Sequence, residues 1–316
     1  MPEVKSSALR PLALASLIAN IALIVTGAAV RLTDSGLGCP TWPKCTDGSY
    51  TTTQAMGVHG VIEFGNRMLT FALGLIALAC LVAAWLERPR RGSTVRLSVA
   101  VLLGIPAQAA VGGLTVLTDL NPWVVGMHFL VSIGLIAFAY ALWRRTAEGD
   151  GEPVWLVPPA LLLLARVTAV ASVAVIAMGV VVTGSGPHAG DADAKRNGLD
   201  PEAVAQAHAD VVFLLVGLTV GLLFALRAVN APRAAVRAAA MLLAIELGQG
   251  LIGFVQYFTH LPVILVGVHM LGAGLVWTGT LAALWSLRER PAVPTAAPEP
   301  VSSGSAAPAE PVPTSR

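Results

Sequence analysis

The sequence predicts an all-α integral membrane protein: eight transmembrane helices arranged as two four-helix bundles related by a pseudo-twofold axis. Three observations carry this. Of the 316 residues, 55% are hydrophobic and only 12% charged, about half the charged fraction of a soluble domain. The apolar residues gather into runs near the roughly 20 residues needed to cross a hydrocarbon core. The second half of the chain also repeats the polar signposts of the first.

The runs are Leu12–Val30, Leu69–Leu86, Leu97–Leu117, Trp123–Trp143, Val157–Thr183, Val204–Leu226, Ala234–Phe258 and Pro262–Leu287. The first is too long for a signal-peptide core and lacks an Ala-x-Ala-like site near Val30, so it reads as a retained helix. Basic residues alternate between connections. Lys5 and Arg10 precede the first run, Arg88, Arg90, Arg91 and Arg96 fill the second connection, and Arg144, Arg145, Arg227, Arg233, Arg288 and Arg290 mark later ones. This positive-inside bias predicts a multi-pass protein of the cell membrane with both termini in the cytoplasm. It also accounts for the basic residues without a nucleic-acid partner. Residues 1–10 read as a cytoplasmic lead. Residues 291–316, rich in Pro, Ala, Ser and Glu, read as a disordered cytoplasmic tail.

Gln108, Gly112, Thr118, Leu120, Gly126 and His128 recur 141 residues later as Gln249, Gly253, Thr259, Leu261, Gly267 and His269. Thr26 and Gly27 similarly match Met178 and Gly179. An offset of four helices preserves orientation, which predicts parallel repeats about an axis along the membrane normal. The boundaries are 11–148 for an N-terminal bundle and 149–290 for a C-terminal one.

The histidines concentrate the chemistry. His128, His208 and His269 each lie about six or seven residues into an even-numbered run, or roughly 10 Å below the outer surface. His59 lies near the outer end of the second run. A single intramembrane histidine is commonly a packed, hydrogen-bonded core residue. His208 and His269 share a depth, and the repeat places their helices side by side in one bundle. Two facing imidazoles make a bis-histidine haem site, whereas structural zinc prefers four ligands. In the first half, Asn66 stands opposite His208 in the repeat. His59, Glu63, Asn66 and Arg67 fall along one helical stripe. Glu63 reads either as an i,i+4 partner of Arg67 or as a general base or charge stabiliser beside a hydrophobic substrate. Ala205 occupies its place in the second half, so one bundle would perform chemistry and the other hold a cofactor. Glu246, in mid-run, pairs with a polar neighbour or serves a proton path. His188 and His260 fall in outer loops and read as solvated. Cys80 reads as an apolar filler. Cys39 and Cys45, in an oxidising compartment, are expected to form a disulfide.

Six segments together resemble the haem A synthase family: Gly36-Leu-Gly-Cys-Pro-Thr-Trp-Pro-Lys-Cys45, Ile62-Glu-Phe-Gly-Asn-Arg67, Gly126-Met-His128, Thr183-Gly-Ser-Gly-Pro-His-Ala-Gly-Asp191, Gln206-Ala-His208 and Gly267-Val-His269. The resemblance spans residues 11–290. It implies a haem B cofactor in the C-terminal half, its iron ligated by His208 and His269. It implies haem O as substrate in the N-terminal half, with His128 on the substrate iron and Glu63 as the catalytic acid. The implied reaction oxidises the C8 methyl of haem O to a formyl group by two successive hydroxylations. The partners implied are the lipid bilayer and a haem O synthase that supplies the substrate. The electron acceptor is unspecified, and a homo-oligomer is allowed but not required. One departure stands out. Many members carry histidine where this chain has Asn66, so either His59 takes over as ligand or the substrate iron keeps only His128. Arg67 and Glu246 would play supporting roles. A non-catalytic haem B electron-transfer cytochrome would instead place haems at two depths. A transporter built on parallel repeats would show broken helices and a midplane polar site, which only Glu246 invites.

Overall fold

The computed structural model describes residues 8–291. The predicted tail, apart from Pro291, and most of the predicted lead lie outside the described residues. Within them are eight long helices: α1 (Leu9–Leu32), α2 (Gly57–Leu86), α3 (Gly92–Leu117), α4 (Pro122–Arg145), α5 (Pro159–Ser185), α6 (Pro201–Ala228), α7 (Arg233–Phe258) and α8 (Val263–Trp285). All eight are long and apolar enough to cross a membrane.

Local chemistry sets several helix starts. Pro122, Pro159 and Pro201 occupy the first helical turn, where the missing N–H costs nothing and the fixed φ suits a helix. The Asn121 side chain caps α4 by accepting from the Trp123 N–H, and Asp200 caps α6 by accepting from Ala203, each at 3.0 Å. The α3–α4 and α7–α8 turns share an unusual backbone. Asp119 and Leu120 have φ of 50° and 55°, and His260 and Leu261 have φ of 62° and 58°. Two consecutive left-handed residues that are not glycine are uncommon, so their recurrence at repeat-related positions is a structural mark of duplication.

Two helix boundaries and one pair of strands differ from the sequence expectation. Helix α1 begins at Leu9, inside the predicted lead. Helix α2 begins at Gly57, well before its apolar run at Leu69, because its polar first turns are satisfied by the preceding loop rather than by water. A pair of two-residue strands was not foreseen: β1 (Val154–Trp155) runs antiparallel to β2 (Arg288–Glu289). The α4–α5 connection is thereby strapped to the end of α8, with Gly149 and Gly151 donating to the carbonyls of Arg290 and Pro291.

Within each half, every helix packs against its neighbours in sequence, and the first packs against the fourth, closing a ring. Between halves, α1 meets α8, α4 meets α5, and α4 meets α8. A twofold relation exchanging the halves maps these contacts onto one another. The ring corrects one expectation. Helices α6 and α8 are diagonal rather than side by side, because short loops make consecutive helices adjacent and put alternate ones across the bundle.

Large apolar side chains such as Phe71, Leu75, Val170 and Phe224 point outward and are exposed. Exposed apolar surface on this scale suits hydrocarbon, not water. Hydrogen bonds sew the seam between halves. The Gly36 N–H donates to Gly190 O and the Arg31 guanidinium to Thr183 O, each at 2.8 Å. The Trp277 indole donates to Ile133 O at 2.9 Å, and that of Trp285 to the Glu148 carboxylate.

At the face opposite the disulfide loop, Arg145 pairs with Glu148 at 2.7 Å and Asp150 at 2.9 Å, and Arg91 meets Asp150 at 3.0 Å. The hydrogen bond from Arg91 holds the Asp150 carboxyl below its ordinary range, against a smaller opposing effect of burial and with help from the charges of Arg91 and Arg145.

Candidate functional site

In the second half, His208 lies on α6 and His269 on α8, diagonal helices of one ring. Each half-buried ring lies over a glycine of an odd-numbered helix. A Cβ on Gly179 of α5 would sit 3.3 Å from His208 Cε1, and one on Gly253 of α7 would sit 3.6 Å from His269 Cε1. The Nδ1 atoms of both rings are buried without a hydrogen-bond partner. Buried polar atoms are nearly always paired, so two orphaned imidazole nitrogens across one interior mark a place for something the protein alone does not supply. Two imidazoles on diagonal helices are a donor set of the kind that ligates haem iron.

The first half repeats one of these positions and breaks the other. His128 on α4 lies over Gly112 of α3, where a Cβ would come within 2.9 Å of Cε1. Its Nδ1 is likewise buried and unpartnered. Gln108 fastens α3 to α4 here by donating to the His128 carbonyl at 2.9 Å. Diagonally opposite, Asn66 stands where the repeat would place a fourth imidazole. Its Oδ1 accepts from the Thr26 hydroxyl at 2.8 Å. Gly27, the counterpart of Gly179, has nothing within 4 Å of where a Cβ would be.

One turn from Asn66, Glu63 is 6% exposed. Its Oε2 accepts the Cys39 backbone N–H at 2.6 Å, and its Oε1 accepts from Arg67 at 2.5 Å. Arg67 in turn donates to the carbonyls of Cys39, Thr41 and Lys44. Those carbonyls belong to the loop closed by the Cys39–Cys45 disulfide, which is present as expected. Gly113 of α3 leaves room for the Trp42 ring, which a Cβ would strike at 2.3 Å. A buried ion pair and a stacked indole thus clamp the disulfide loop over the end of the first ring. Of the two readings of Glu63, the i,i+4 pairing with Arg67 is observed.

The structure does not gather every sequence candidate. His59 is exposed, pairs through Nδ1 with the Ser35 hydroxyl at 2.9 Å, and lines an open cleft of about 500 Å³ with Asp34, Met56 and Asp191. Neither Glu63, Asn66 nor His128 lines that cleft. Glu246 is buried and accepts from the Thr219 hydroxyl at 2.9 Å between α6 and α7. His188, expected to be solvated, is half-buried and pairs with the Leu261 carbonyl at 3.1 Å. His260 is exposed and Cys80 buried, both as expected. The glycines beneath the imidazoles were visible in the repeat at positions 112 and 253, but spacing alone did not reveal what they face.

Eight apolar helices in two rings, with buried imidazoles at corresponding places in each, define a multi-pass membrane protein. The chain belongs to the COX15-CtaA family, described as cytochrome oxidase assembly proteins, whose profile matches residues 10–281. It is similar to the protein named heme A synthase from Symbiobacterium thermophilum, 31% identical over 146 residues that cover 46% of each chain. The protein of that name from Shewanella oneidensis is 32% identical over 146 residues, 42% of this chain and 43% of its own. That from Bacillus licheniformis is 28% identical over 138 residues, 43% and 44%. The aligned stretches thus cover under half of each of these relatives.

Proposed function

We propose that this protein is a haem A synthase of the cell membrane, with both termini cytoplasmic, oxidising the C8 methyl of haem O to a formyl group. The observation that carries the reading is the asymmetry between halves. One half carries two imidazoles with buried, unpartnered Nδ1 atoms on diagonal helices, and the other carries one such imidazole on α4 and a buried carboxylate on the diagonal helix α2. In the second half His208 and His269 would hold haem B, which supplies one-electron redox chemistry. In the first half His128 would hold the substrate's iron and so fix the macrocycle against α3 and α4. Gly112 leaves room for the His128 imidazole against α3, and Gln108 holds the α4 backbone in register. Two hydroxylations of the methyl, each removing two electrons, give a gem-diol that loses water to leave the aldehyde. Glu63, with both oxygens already engaged, serves as a fixed negative charge near developing positive charge. Arg67 and the disulfide loop hold the carboxylate still and cover that end of the ring. Electrons leave to an acceptor, and haem O arrives from the enzyme that makes it.

The test is co-expression with a haem O synthase, followed by haem extraction and mass analysis. Wild type should accumulate haem A, and Glu63→Ala should lose it. Haem B bound to the protein, with haem O present and no haem A formed, would favour an electron-transfer cytochrome instead.

A further inference from the structure

Three of four repeat-related positions carry an imidazole over a glycine: His128 on Gly112, His208 on Gly179 and His269 on Gly253. The fourth carries Asn66, and the glycine beside it, Gly27, is uncovered. Asn66 is a poor candidate for an iron ligand. Its amide nitrogen is not basic, and its oxygen already accepts from Thr26. Nor does His59 fill the gap. It lies two helical turns, about 10 Å, nearer the disulfide face, and its ring is committed to Ser35 at the open cleft. Resting on the reading of the first half as the haem O site, we infer that the iron held by His128 keeps one axial position open on the Asn66 side, forming a binding site for a small exogenous ligand. The two halves then hold iron differently. The second is closed by two imidazoles, and the first is closed by one and left accessible beside Thr26, Gly27 and Asn66. The Thr26 hydroxyl ties the Asn66 amide oxygen to α1.

The experiment uses full-length protein purified from cells that also make haem O, examined by electron paramagnetic resonance and by carbon monoxide difference spectra after reduction. Wild type should show a low-spin ferric signal together with a high-spin one, and about half of its haem should bind carbon monoxide. Asn66→His should convert the high-spin signal to low-spin and reduce carbon monoxide binding at least tenfold. Free imidazole added to the wild-type protein should make the same spectral conversion without any substitution. His128→Ala should remove the high-spin signal and leave the low-spin one. His59→Ala should leave the wild-type spectra unchanged. A wild-type protein whose haems are all low-spin and inert to carbon monoxide overturns the inference while leaving haem A formation intact. A carbon monoxide-reactive fraction appearing only in His59→Ala also overturns it, by identifying His59 as the missing ligand. Protein that carries no haem despite intact His208 and His269 removes the functional reading itself, and this inference with it.

Discussion

Glu63 Oε2 accepts the Cys39 backbone N–H at 2.6 Å, so the carboxylate proposed to face the substrate is also the post to which the disulfide loop is tied. Arg67 completes the tie by donating both to Glu63 and to three loop carbonyls. Removing Arg67 would leave a buried carboxylate without its counter-charge, a change that typically costs about 3–5 kcal/mol. Arg67→Ala should therefore lower the thermal midpoint in detergent clearly and make the 39–45 loop sensitive to protease. An unchanged midpoint would mean that the pair is solvated rather than clamped.

The disulfide joins residues six apart. Loop-closure entropy for so short a ring is about 2 kcal/mol. Cys39→Ser should show a stability loss of that order, and a reducing agent should reproduce it in wild type. Because the loop holds Glu63 and not the second ring, haem A formation should fall while haem B content stays constant. A parallel loss of haem B would contradict this division.

The glycines at the four repeat-related positions make a graded series. A methyl on Gly112 would press His128 Cε1 at 2.9 Å, one on Gly179 would press His208 at 3.3 Å, one on Gly253 would touch His269 at 3.6 Å, and one on Gly27 would meet nothing within 4 Å. Gly112→Ala should cost about 1–3 kcal/mol by overpacking and displace His128. Gly179→Ala should act more weakly, and Gly253→Ala and Gly27→Ala should be tolerated. Thermal midpoints and bound-haem spectra rank the four, and equal effects at Gly27 and Gly112 would refute the cradle.

At the opposite face, Asp150 titrates below its ordinary value because Arg91 and Arg145 favour its charged form. Its folded value is depressed, so the stability it contributes is fully present above the unfolded carboxylate value near 4 and is lost as pH falls through the lower folded value. The group is 40% exposed, so the contribution should be small and weakened by salt. Asp150→Asn should flatten the acid limb of a midpoint-against-pH curve recorded at low ionic strength. The same acid limb in wild type and variant would show that other carboxylates govern it.

The eight spans were legible because hydrocarbon demands long apolar runs and little else in the sequence imitates them. The duplication was legible because Gln108 and His128 recur at a fixed offset as Gln249 and His269. What spacing could not convey was adjacency. His208 and His269 share a depth in any arrangement, but only the ring closure by α5 and α8 puts them on a diagonal. Hydropathy also truncated α2, since Glu63, Asn66 and Arg67 look hydrophilic in a window yet are paired within the fold. The β1–β2 strap is not legible in the sequence because two-residue strands leave no periodic trace and their partners lie over a hundred residues apart.

The seam between the halves is fastened at four levels, from Gly36–Gly190 through Arg31–Thr183 and Trp277–Ile133 to Trp285–Glu148. Such a spine resists hinging, so the span from His128 to the His208–His269 pair becomes a fixed dimension of the molecule. Spin labels placed one on each half should report a single narrow distance, and electrons crossing between the halves would meet one barrier width instead of a fluctuating range.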